Sequence, residues 1–106
     1  MSDVKFLMDS LAKLEEAKNI QEDCLHLRRM LREKDKEKDK IVDSYVEKFT
    51  ILKVLLEDLR KQLSNRGYEK FIPLVGEYID AKTIVEIVNA EISIVSELES
   101  AKMEKT

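Results

Sequence analysis

The sequence predicts an all-α fold, because apolar residues recur three and four positions apart along most of the chain and the 106 residues include only two glycines and one proline. With 39% charged and 43% hydrophobic residues, it has the Glu, Lys and Leu-rich profile of coiled coils and long helices. A chain of this length makes one helical unit spanning 1–106, near the size at which a single core is only modestly stable.

The first helical segment is expected over 3–33. Val4, Leu7, Leu11, Leu14, Ala17, Ile20, Cys24, Leu27 and Leu31 fall on one stripe, and Ser2 or Asp3 can accept hydrogen bonds from the orphaned amides of the first turn. Between 32 and 40 the stripe gives way to alternating charge, from Glu33 to Lys40, with no Gly or Pro to make a turn. Alternation sets opposite charges three apart and like charges four apart, so local preference neither favours nor breaks a helix there.

The strongest periodicity runs over 41–63. Val42, Tyr45, Phe49, Leu52, Leu56, Leu59 and Leu63 alternate steps of three and four without a miss, which is the seam of a coiled coil. Residues 64–72 form the bend, because Gly67 can take the left-handed conformation that ends a helix and Pro73 is tolerated in the first turn of the next. A C-terminal helix is expected over 73–103, with Leu74, Tyr78, Ala81, Val85, Val88, Ile92 and Val95 on one stripe, flanked by Val75, Ile79, Ile84, Ile87, Ile94 and Leu98 in a broad apolar face.

Two assemblies of these pieces are open. In the preferred one, a long helix, possibly interrupted near 32–40, is followed by an antiparallel second helix in a coiled-coil hairpin. The long helix would measure ~90 Å and the second ~45 Å. The second then covers only the 41–63 seam, and Leu7, Leu11, Leu14, Ile20, Cys24, Leu27 and Leu31 remain as an interface for another chain. The alternative folds the chain near residue 36 into a three-helix, up-down-up bundle that buries this stripe internally.

Catalytic equipment is sparse. His26 is the one histidine, and Cys24, two residues away, lies on a different part of the helix, so the pair suits neither nucleophilic catalysis nor a metal site, which needs three or four ligands. Phosphate-binding glycine loops and paired-cysteine motifs are missing from the sequence. No catalytic residue, metal or cofactor is assigned.

The expected function is a non-enzymatic coiled-coil scaffold or adaptor subunit that dimerises or pairs with another helical protein. Tyr68, Phe71 and Tyr78 gather near the bend, either as a core plug or as a docking corner. A net charge of −3 with a pI near 5.3 makes generic nucleic-acid affinity unlikely. The alternative is a peripheral nucleic-acid or membrane-surface binder using the basic face at 28–40, where Arg28, Arg29 and Arg32 precede four lysines. No membrane span, signal peptide or small-molecule substrate is expected. The single cysteine suits a reducing, cytoplasmic or nuclear setting.

Overall fold

In a computed structural model, residues 3–33 and 38–105 are described, and they form four helices: α1 (Asp3–Arg32), α2 (Lys38–Asn65), α3 (Phe71–Asp80) and α4 (Ile84–Lys105). Asp3 opens α1, while Arg29 and Arg32 lie in its last turn, so side-chain charge opposes the helix dipole at both ends. Helix α2 stops as its sequence directs. Gly67 adopts φ +86°, the Tyr68 amide donates to the Leu63 carbonyl at 2.9 Å, and the Gly67 amide donates to that of Ser64 at 3.0 Å. These two bonds make a Schellman turn and satisfy carbonyls that a bare helix end would leave open.

The first two helices pack antiparallel, aligned by Asp3 with Arg66, Lys13 with Gln62, Asp23 with Lys48 and Arg28 with Tyr45. Helix α4 also runs antiparallel to α1, with Lys18 beside Glu91 and Lys105 beside Asp3. Helix α3 lies between α2 and α4, diagonally across from α1. The result is an up-down-up-down bundle, 53 × 23 × 19 Å, with a short third stave.

Its core takes Leu7, Leu14, Ala17 and Cys24 from α1, Leu52, Leu56, Leu59 and Leu63 from α2, Phe71, Val75 and Tyr78 from α3, and Ile94 and Leu98 from α4. Each large side chain so buried contributes roughly 1.5–3 kcal/mol before ordering entropy is subtracted. Gln21 lies among them, fully buried, and its amide nitrogen donates to the Tyr78 carbonyl at 2.9 Å.

Two expectations about the helices are corrected. Helix α1 does not run on alongside the seam in one rod: α1 and α2 pack side by side, the fold-back that the bundle alternative anticipated, although the part of the 32–40 question that falls on 34–37 lies outside the described residues. The C-terminal segment 73–103 is two helices rather than one. Helix α3 begins at Phe71, with Pro73 in its first turn, and ends at Asp80; Ala81 is extended, at φ −65° and ψ 130°. Three helices therefore become four.

The physical reason for the second break is a capping box that begins α4. The Glu86 amide donates to Thr83 Oγ1 at 3.2 Å, while Glu86 Oε1 accepts from the Thr83 and Lys82 amides, both at 3.1 Å. Restarting the helix there changes its phase. Ile87, Ala90, Ile94, Leu98 and Ala101 face the core, and the stripe drawn through Val85, Val88 and Ile92 points outward.

Candidate interaction surfaces

The predicted interface on α1 is occupied by the chain itself. Leu7, Leu14 and Cys24 are fully buried against α2 and α4, and Leu11, Ile20, Leu27 and Leu31 are half-buried. Folding back gives this stripe two neighbours that the extended arrangement would have denied it. Burial also pushes the Cys24 thiol above its ordinary pKa, which suppresses the thiolate needed for nucleophilic or metal chemistry. Among the described residues, no three His, Cys, Asp or Glu side chains gather as a metal site would require.

The heptad seam on α2 divides in two. Leu52, Leu56, Leu59 and Leu63 are completely buried, whereas Val42 is 43% exposed and Tyr45 and Phe49 are half-buried. The length of α3 explains the division. Ten residues reach ~15 Å, which carries α3 from the bend up to the level of Gln21 and no farther. Above it the connection 81–83 crosses, and Lys82 places its ammonium 5.2 Å from the Phe49 ring. Beside the uncovered seam Val46 and Val54 are also exposed.

The predicted aromatic corner is mainly core. Phe71 and Tyr78 have no exposed surface; Tyr68 is half-buried, stacked on Phe6 at 6.3 Å between centroids and edge-on to Phe71 at 6.2 Å. The Arg66 guanidinium sits 4.3 Å from the Phe6 centroid. Cation and aromatics together close the lower end of the bundle.

A surface that the sequence reading missed lies on α4. Ile84, Val85, Val88 and Ile92 are 44–65% exposed, at spacings that place them along one outward stripe. The usable signal was Thr83-x-x-Glu86, because recognising the capping box would have restarted the helical phase at residue 84.

Ile84 also borders a concavity of about 190 Å³, lined with Leu25, Arg28, Arg29, Arg32, Lys82 and Thr83. The fold thus adds Lys82 to the basic neighbourhood seen in the sequence. Arg28 is engaged structurally there: its guanidinium donates to the Lys82 carbonyl at 2.8 Å and to the Tyr45 hydroxyl at 3.3 Å. Arg29 and Arg32 carry their charge to the edge of the α4 stripe. Among the described residues, no helix is long and apolar enough to cross a membrane.

Searches against known protein families, curated proteins and solved structures find no match to this chain.

Proposed function

We propose that this protein is a non-enzymatic helical interaction subunit that docks another helix against the outward face of α4. The observation that carries the reading is the stripe of Ile84, Val85, Val88 and Ile92. Isolated exposed aliphatic residues are ordinary on a protein surface; four along one stripe of a helix whose opposite face already fills a core form an amphipathic partner's complement.

The helix-in-groove mode also uses what surrounds the stripe. Arg29, Arg32 and Lys82 stand at one end of it, favouring a partner that brings acidic residues level with the start of α4. Apolar contact then supplies affinity, and the cations select orientation.

The test is the double substitution Val88→Asp with Ile92→Asp. Both sites are exposed, so helicity should be retained and stability should change by no more than about 1 kcal/mol. Association, followed as solution mass across a concentration series and as recovery of a copurifying helical chain, should be lost. Association unchanged in the doubly substituted protein overturns the reading.

A further inference from the structure

The outward stripe of α4 reads the same in both directions. Val85, Val88, Ile92 and Val95 are separated by steps of three, four and three, so the pattern is symmetric about position 90. The first three are exposed and Val95 is half-buried. One further step of four along the same stripe brings Glu99, half-buried and 3.0 Å from Lys102. From Thr83 to Ala101 the chain carries four glutamates and no lysine or arginine, whereas Arg29 and Arg32 border the start of the helix. Acid and cation thus stand at opposite ends of one apolar stripe.

We infer, on the basis of the docking face proposed above, that its occupant is a second copy of this chain, with the two α4 helices antiparallel across a two-fold axis at position 90. In that register Val85 of each copy meets Val95 of the other, and Val88 meets Ile92. Both pairs recur on the far side of the axis, giving four aliphatic layers in succession. About three turns of helix are covered in this way, so the dimer belongs with the small interfaces below about 1,200 Å² and its population depends on concentration.

Charge sets the direction. Lys18 lies beside Glu91 and Leu25 beside Ile84, a register of α1 on α4 that carries Arg29 one turn beyond Ile84. One turn beyond Val95 in the other copy stands Glu99, so Arg29 and Glu99 come level across the interface, twice in each dimer. A parallel pair would set Glu99 against Glu99.

The decisive experiment uses two full-length variants, Val85→Cys and Val95→Cys, each also carrying Cys24→Ala and each checked for helicity. Under mild oxidation the mixture should form a covalent dimer at least about ten-fold faster than either variant alone, because like positions lie ~15 Å apart along the axis, too far for a disulfide. Either variant linking to itself as fast as to the other overturns the proposal.

Charge reversal supplies a second readout. Glu99→Lys should raise the dimer dissociation constant at least about five-fold at low salt, and adding Arg29→Glu should restore pairing. A constant unmoved by Glu99→Lys contradicts the proposal. The two readings also fail separately. A chain that stays monomeric at millimolar concentration, yet holds a copurifying helix of different sequence that Val88→Asp with Ile92→Asp releases, overturns the second copy and leaves the docking face standing. A dimer indifferent to that double substitution removes the face itself.

Discussion

The lower and upper halves of α2 carry the same heptad pattern but have different surroundings. Leu52, Leu56, Leu59 and Leu63 lose all contact with solvent, whereas Val42 remains 43% exposed on the same helix and in the same phase. A heptad specifies which face is apolar; how much of it is covered depends on the length of the neighbour. Here the neighbour is α3, whose ten residues end at Asp80. The seam is continuous in sequence and interrupted in burial.

The largest test of this contrast truncates each half. Leu56→Ala should cost about 2–5 kcal/mol, through lost burial and the cavity left behind, while Val46→Ala on the open half should change stability by less than about 0.5 kcal/mol. Equal losses in urea unfolding would show that something else covers the upper half.

A smaller effect is expected at Tyr78, on the helix that covers the lower half. Its hydroxyl is buried without a hydrogen-bond partner, so Tyr78→Phe should be neutral or stabilise by up to about 1–2 kcal/mol. Burial also raises the pKa of the phenol. A group raised by folding lends stability that is full below its unfolded pKa, about 10, and is lost as pH rises towards the folded value. Alkaline unfolding should therefore shift to higher pH in Tyr78→Phe, and an unshifted midpoint would place the responsible group elsewhere.

The smallest effect concerns the cap that separates α3 from α4. Thr83→Ala should cost about 1 kcal/mol and fray the start of α4, seen as faster amide exchange at Ile84 to Ile87. The Glu86 carboxyl is held below the ordinary carboxylate range by hydrogen bonds from the Lys82 and Thr83 amides, with the Thr83 side chain contributing. Because folding lowers this pKa, the stabilisation is complete above the unfolded value and disappears as pH falls through the folded one. Exchange in this turn should accordingly accelerate in acid, and an acid response that survives in Glu86→Gln would refute the assignment.

Most of the helical content was legible in the sequence because it rests on periodicity and on one glycine. Gly67 ended α2 as its freedom at positive φ predicts, and Leu52 to Leu63 proved to be core. What periodicity could not supply was phase across the break at 81–83. The β-branched density of Thr83 to Val88 satisfies several stripes equally well, and only the reciprocal bonds of Thr83 and Glu86 decide which one turns inward. The α1 stripe was recognised as apolar and assigned to the wrong occupant. Its burial depends on the direction in which the chain resumes at Lys38, a tertiary choice that alternating charges leave undecided.

Gln21 has a further consequence for the bundle. Aliphatic layers tolerate slippage, since one leucine fills another's place at modest cost, but a carboxamide sealed among them does not. Its nitrogen is satisfied by the carbonyl of Tyr78, near the last turn of the short helix, and that bond joins the two diagonal staves. Sliding α1 by one turn would strand the carboxamide donor in the dry interior, while the Tyr78 carbonyl would keep only its bond from the Ala81 amide. A single amide thus acts as an index mark that sets α1 against the short α3, as the polar pairs at the surface set α1 against α2.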